Sequence, residues 1–406
     1  MENKERAVRV ADIQVSGGLD TGNGYMKGIL KSENSEIIVD YPSVVSIYDV
    51  ENDIKTEAEN IKAEISDIFN RMDLSISSDL ITDGRRRIFG KRAVESGMIT
   101  TTFDVNLHHQ SKAEQKMSGL MVLGTFAGAV LKKWFEKHGK LPENVIQATV
   151  SCVLALPIAE YLKYRDKYIE GFKKGTHMVT FHNFSEPVRV ELTFENVIVT
   201  SEGAAAQFAI SSGLADLSSE ITSEMKQEGI NEKELMAATD VMGIDIGEGT
   251  VNFVVMKNKK LSPEASWMVA EGYGTLLDEC ISQTLKKNGY PFNGRKDLSE
   301  FLIKTPKPIE KVKHRAVTEL VEDEALKFAE RLITEVRKSI AKTGTTNQAI
   351  FIYGGGSIPL RKAIETGVRK NASELGNTYV IYISSKDART LNAKGLYEMS
   401  TKLFKK

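Results

Sequence analysis

Cysteine, net charge and long apolar runs are what this chain has least of, and each shortage closes a class of function. Only two of 406 residues are cysteine, Cys152 and Cys280. Neither has a C-x-x-C partner or a clustered histidine, so a disulfide framework and a zinc site are both poor readings. Both thiols are expected as small buried hydrophobes. Charge nearly cancels, with 54 basic against 55 acidic residues, so no direct binding of nucleic acid is expected. The most apolar segment, between Lys116 and Lys132, is shorter than the ~20 residues a membrane span needs. Its Gly124 and Gly128 suit close helix packing inside a soluble domain better than a membrane dimer. The N-terminal Met1–Arg6 has no apolar signal-peptide core, so no membrane partner and a cytoplasmic location are expected. The P-loop pattern G-x-x-x-x-G-K-[ST] is absent, as is a Rossmann G-x-G-x-x-G after the first strand.

What is present is a turn that occurs twice. In Val241–Val255 an apolar strand runs up to Asp245, Gly247 and Gly249 turn the chain, and a second apolar strand carries it back. Gly18, Asp20, Gly22 and Gly24 repeat Gly243, Asp245, Gly247 and Gly249 in the same order, each pair 225 positions apart. Two Asp-x-Gly-x-Gly hairpins with apolar flanks point to a duplicated unit. Glycine keeps such a tip open to a ligand, and its successive backbone N–H groups suit an anion. A carboxylate at the rim of an anion site makes sense when a cation lies between them, and the simplest pair is phosphate with Mg²⁺. A third glycine turn, Gly354–Gly356, joins an apolar strand at Ala349–Tyr353 to a helix start at Ser357 and Pro359, where anions are favoured.

At this length two domains of about 200 residues each are expected. Strands are read at Val8–Leu30 (as a hairpin), Ile37–Ile47, Val145–Leu156, within Met178–Val199, at Ala349–Tyr353 and at Val380–Ile383. Helices are read at Met117–Phe135, Tyr161–Phe172, 203–210, Thr275–Leu285, Glu324–Ile340 and Gly395–Phe404. Leu326, Ala329, Leu332, Ile333 and Val336 form the apolar stripe of the fifth. Asp49–Asp83 reads as an exposed charged insertion, Arg85–Arg87 as an exposed hairpin edge, residues 211–240 as an inter-domain excursion and residues 291–315 as basic and irregular. His108 and His109 have no third ligand nearby, so metal binding there is not expected. Strands alternating with helices in two copies imply an α/β fold.

At these residues the chain resembles the actin superfamily of ATPases. Asp20-Thr-Gly-Asn-Gly-Tyr-Met-Lys27 is similar to its first phosphate loop, Asp245-Ile-Gly-Glu-Gly-Thr250 to its second, and Tyr353-Gly-Gly-Gly-Ser-Ile-Pro-Leu360 to its adenosine motif. Tyr41–Val45, Phe89–Ala93, Leu154–Pro157 and Ser201–Ala204 resemble the plasmid-segregating, ParM-like branch. Here Ser201 stands where that branch usually has proline, and Glu248 places a longer acid near the phosphates than is common. The resemblance implies an actin-like, duplicated ribonuclease H-like, two-lobe fold with a nucleotide cleft between the lobes. It implies a first lobe over 1–203, with an exposed insertion at about 37–105 and a C-terminal helix 385–406 packed back on it, and a second lobe over 204–384. It also implies the roles of the site residues. Thr21, Gly22, Asn23, Gly24, Tyr25 and Lys27, with Gly247, Glu248, Gly249 and Thr250, would hold the phosphates of ATP or GTP. Gly354, Gly355, Gly356 and Ser357 would hold adenosine. Asp20 and Asp245 would hold Mg²⁺ through water, and Glu202 would position the attacking water, its other reading being a charge at a helix N-terminus. The implied function is a Mg-dependent ATPase that assembles into filaments and segregates plasmid DNA through a DNA-binding adaptor. The alternatives are a membrane-linked division or shape actin, for which the C-terminal Leu396–Lys406 reads better as a domain-closing helix than as an anchor, and a small-molecule kinase of the same fold.

Overall fold

The computed structural model describes residues 11–48, 60–104, 111–343, 347–370 and 378–404. The residues Met1–Arg6, the start of the first strand at Val8, the stretch 49–59 and the His108–His109 pair lie outside the described residues. The chain divides into two compact units. One holds the chain up to Ser201 together with the chain from Ala393, and the other holds Glu202–Asn392.

In the first unit the strands are β1 (Ile13–Thr21), β2 (Tyr25–Ser32), β3 (Ser35–Pro42), β4 (Val45–Ile47), β5 (Asp73–Ser77), β6 (Arg87–Phe89), β7 (Thr100–Thr101), β8 (Ile146–Leu156), β9 (His177–Phe181) and β10 (Val188–Ser201). Among the described residues they form one ten-stranded sheet in the order β3-β2-β1-β8-β10-β9-β5-β6-β4-β7. β1 and β2 are an antiparallel hairpin, while β8 runs parallel to both β1 and β10. That placement explains the near-continuous apolar run of β8, because a strand between parallel neighbours is covered on both faces. Helices Lys116–His138 and Ile158–Lys173 pack on this sheet. Gly124 and Gly128 admit Leu74, Phe89 and Phe69 against the first of them, the close packing expected of that pair. Among the described residues no helix is long and apolar enough to cross a membrane.

The second unit contains β11 (Val241–Ile246), β12 (Val251–Lys257), β13 (Lys260–Leu261), β14 (Trp267–Val269), β15 (Ala349–Tyr353) and β16 (Tyr379–Tyr382). Their order is β13-β12-β11-β15-β16, with β14 beside β12. Both sheets thus contain the same arrangement: a hairpin whose first strand also pairs in parallel with a strand from much later in the chain. Both faces of the second sheet are covered, as the period of two along β15 shows. Ile350 and Ile352 pack with Leu276, Phe328 and Leu332 from the helices Tyr273–Asn288 and Lys311–Thr343. Ala349, Phe351 and Tyr353 pack with Ala206, Ala209 and Leu217.

Four sequence readings are corrected by burial. The described part of 49–83, and of the wider exposed insertion expected at 37–105, contributes buried residues to the core while its charged residues stay largely exposed. Tyr41, Val45, Ile68, Met72, Leu74 and Phe89 are buried, and β5 is an interior strand. Its charges concealed an apolar set that only sheet pairing brings together. Of the Arg85–Arg87 run only Arg85 is exposed, because Arg87 opens β6, which lies between β5 and β4. Arg86 forks onto buried Asp73 at 2.7 and 2.8 Å, and Arg87 pairs with Asp83 at 2.6 Å. Residues 211–240 are no excursion, because Leu217, Met225 and Leu235 are buried in the second unit. Residues 291–315 hold the helix Arg295–Ile303 and the start of Lys311–Thr343. On that long helix Leu326 is exposed, whereas Ala329, Leu332, Ile333 and Val336 are buried.

Candidate functional site

The two glycine hairpins fold alike and are built from matching rungs. In the first, Asp20 pairs with Lys27 across β1 and β2. In the second, Asp245 pairs with Asn252 across β11 and β12. Asp20 and Asp245 are both buried. Lys27 Nζ lies 3.1 Å from Asp20 Oδ2, so the lysine is a half-buried partner of the carboxylate and not a surface strand residue.

Each hairpin tip is tied back through its carbonyls, which sets the direction of its amides. Ser43 Oγ donates to Gly22 O at 2.7 Å and Ser43 N to Gly24 O at 2.9 Å. In a trans peptide the N–H points opposite to the C=O, so the N–H groups of Asn23 and Tyr25 aim away from Ser43. In the second hairpin Tyr273 N donates to Gly247 O at 3.0 Å and Gly274 N to Glu248 O at 2.8 Å. The N–H groups of Glu248 and Gly249 therefore aim away from that turn. Gly247 N closes the tip on Thr250 O at 2.9 Å. Ser43 and the Gly272–Gly274 turn, neither of them assigned a role in the site by the sequence reading, tie back the tips.

The third glycine turn belongs to the second hairpin. Gly354 has φ +90°, and a Cβ there would strike Asp245 Oδ1 and Ile246 O. Gly356 N donates to Ile246 O at 2.9 Å, and Ser357 Oγ to Gly354 O at 2.8 Å. Gly355 is exposed and open, with Arg389 Cγ at 3.8 Å as the nearest neighbour of an added Cβ. Tyr353 beneath them is fully buried, and burial, with the Asp245 charge behind it, pushes its hydroxyl well above the usual range. It donates to Gly203 O at 3.1 Å.

Glu202 is buried just ahead of the helix Ala204–Ser211 and accepts from Asn252 Nδ2 at 3.4 Å. Asn252 is a residue the sequence reading missed, although the 225-position offset that links the hairpins carries Lys27 onto it. Asn392, also missed, donates to Asp245 Oδ2 at 2.6 Å. Glu248, read as a longer acid near the phosphates, is held by Arg295 at 2.7 Å, and Arg295 in turn binds Asp278 at 2.6 Å. The long acid thus shares with Asp278 one guanidinium from a stretch read as irregular.

Each hairpin holds a buried polar atom, Thr21 Oγ1 in the first and Asn252 Oδ1 in the second, with no hydrogen-bond partner among the described residues. Burying such an atom unpaired is costly; the Thr21 hydroxyl can donate to a phosphate oxygen, whereas the Asn252 carbonyl oxygen only accepts and suits a donor such as water. Among the described residues no group of three or more His, Cys, Asp or Glu side chains comes together. Mg²⁺ keeps most of its waters and takes one or two carboxylates besides phosphate, and buried Asp20 and Asp245 each offer one carboxylate in their own hairpin.

Known proteins share this plan. A family model of the N-terminal domain of actin-like proteins matches residues 18–204, and a model of the C-terminal part of the archaeal, MreB-like actin homologue matches residues 243–366. The actin-like protein Alp7A aligns with a TM-score of 0.63 at 17% identity, over 96% of this chain and 96% of that one. Bacillus thuringiensis ParM with AMPPNP aligns with a TM-score of 0.58 at 18% identity, over 95% and 98%. An archaeal actin homolog in complex with ADP aligns with a TM-score of 0.59 at 15% identity, over 95% and 99%. At such identities the likeness is one of fold. No functionally curated protein matches the sequence. Two actin-family models in chain order, on a fold shared along nearly the whole length, show that the chain belongs to the actin superfamily and has the two-lobe fold of its ParM-like members.

Proposed function

We propose that this protein is a Mg-dependent ATPase that assembles into filaments and segregates plasmid DNA through a DNA-binding adaptor. The observation that carries the proposal is the pair of matched hairpins, each with a buried aspartate on the same rung and tip amides turned outward by carbonyls tied behind them. Backbone N–H groups within Gly22–Tyr25 and Gly247–Thr250 donate to phosphate oxygens, with Thr21 beside the first set. Lys27 offsets phosphate charge. Asp20 and Asp245 hold Mg²⁺ through water, and the ion supplies charge stabilisation at the transferring phosphoryl group. Gly354, Gly355 and Gly356 let adenosine approach the backbone, with Ser357 at the helix start. Glu202 orients the attacking water, and Asn252 holds its carboxylate from one side. Solved structures of ParM with ATP and with ADP support the choice of nucleotide, and the shared fold of ParM and Alp7A supports assembly. The adaptor, the plasmid and the cytoplasmic setting rest on the ParM resemblance alone.

The test is phosphate release from Mg-ATP by Asp20→Ala and Asp245→Ala, with thermal melting as the control for folding. Turnover is expected to fall by about 10²-fold or more in both, the scale set by losing a preorganised charge at the reacting centre. Wild-type turnover in either folded variant would contradict the phosphate-loop assignment.

A further inference from the structure

The helix that follows Glu202 begins without a cap of its own. Its N-cap residue, Gly203, sits at φ +77°, and an added Cβ would meet Val254 Cγ2 at 2.5 Å and Tyr353 Oη at 3.3 Å. A serine or aspartate, the usual solution at a helix start, is therefore closed to this position. The missing acceptor comes from 189 positions further along the chain. Asn392 Oδ1 accepts from Gly203 N at 3.0 Å and from Ala206 N at 3.2 Å. The other end of the same amide, Nδ2, is the group that donates to Asp245 Oδ2 at 2.6 Å.

The polarity of the amide leaves one workable orientation. Oxygen faces two N–H donors and nitrogen faces a carboxylate; turned over, the oxygen would oppose the carboxylate and the NH₂ would oppose the amides. The donation to Asp245 is charge-assisted and short, hence among the stronger hydrogen bonds a side chain makes. The amide also sits where the chain changes units. The divisions fall at Ser201/Glu202 and at Asn392/Ala393, and the bond from Gly203 N to Asn392 ties the two places together.

We infer that Asn392 is a positioning residue for phosphoryl chemistry, setting the Asp245 carboxylate and the start of the helix that follows Glu202 with a single amide, so that the two stay in register. The inference rests on the ATPase reading above. Its chemical content is that a carboxylate assigned to Mg²⁺ and the helix start beside a carboxylate assigned to water are placed by one amide. Misplacement of such groups by about 1 Å costs up to about 10²-fold in rate.

Two variants separate the two ends of the amide. Asn392→Asp keeps an acceptor for Gly203 and Ala206 but sets a second carboxylate against Asp245. Asn392→Ala removes both functions. In nucleotide-free protein, hydrogen exchange at Gly203 and Ala206 is expected to speed up by about tenfold or more in Asn392→Ala and to stay near wild type in Asn392→Asp. With Mg-ATP, Asn392→Asp is expected to lower kcat by about 10- to 100-fold and to move the Mg²⁺ concentration that gives half-maximal turnover, with thermal melting as the control that the variant is folded at the assay temperature. Unchanged exchange in Asn392→Ala overturns the inference, as does an Asn392→Asp enzyme with wild-type kcat and Mg²⁺ requirement. A wild-type protein that releases no phosphate overturns the ATPase reading itself. That outcome is distinct from an active wild type matched by its Asn392→Asp variant.

Discussion

Lys27 and Asn252 stand on the same rung of two hairpins and carry different chemistry. The first brings a positive charge to its aspartate, whereas the second is neutral and faces Glu202. A duplicated backbone has thus been given one charge-compensating half and one half that handles a second carboxylate. Elsewhere, single ion pairs decide what a charged stretch means. Asp83 is held well below the usual carboxylate range, first by its hydrogen bond from Arg87 and then by that from Lys116. A depressed carboxyl contributes stability above its unfolded value, 3.8 here, and loses it as pH falls toward the folded value. Asp83→Asn should therefore lower stability at pH 7 by about 1 kcal/mol, roughly 2–4 °C in melting temperature. The gap should narrow at pH 3. Thermal melts of both proteins at the two pH values check this, and an equal gap at both would contradict the pairing.

At the scale of elements, the hairpins and the 354–356 turn were legible because their signals are local: glycine spacing, an aspartate, and apolar flanks of the right period. The segments misread as exposed or irregular failed for the opposite reason. Leu74 and Ile76 are buried only because β9 and β6 flank β5, and Arg295 becomes a partner of Glu248 only across 47 positions. No local pattern announces either. Asn392 is the extreme case, since its partners lie 147 and 189 positions away. The tight fit of the third glycine turn leads to a prediction about adjacent residues. Gly354→Ala pays about 1–2 kcal/mol for a left-handed backbone and adds a collision with Asp245 Oδ1. Gly355→Ala meets open space apart from Arg389. The first should melt several degrees lower and the second near wild type, and equal melting curves would show that the turn does not press on Asp245.

For the whole molecule, the repeat at 225 positions is the sequence trace of two sheets that share one arrangement, β3-β2-β1-β8-β10 in one unit and β13-β12-β11-β15-β16 in the other. The alternation of strands and helices marked the α/β class, and the three glycine motifs together pointed to the superfamily. The ten-strand width of the first sheet was hidden, because β6, β4 and β7 at one side are only two or three residues long. We propose that this duplicated fold couples ATP hydrolysis to assembly through Glu202. Phosphate release and light scattering, followed together after Mg-ATP is added to the wild-type protein and to Glu202→Ala, decide it. Wild-type scattering is expected to rise with nucleotide and to decay as phosphate appears. Glu202→Ala should bind ATP normally, release phosphate about 10²–10⁴-fold more slowly, and scatter light far longer. Near-normal phosphate release by Glu202→Ala, or scattering that is indifferent to nucleotide in the wild type, would contradict it.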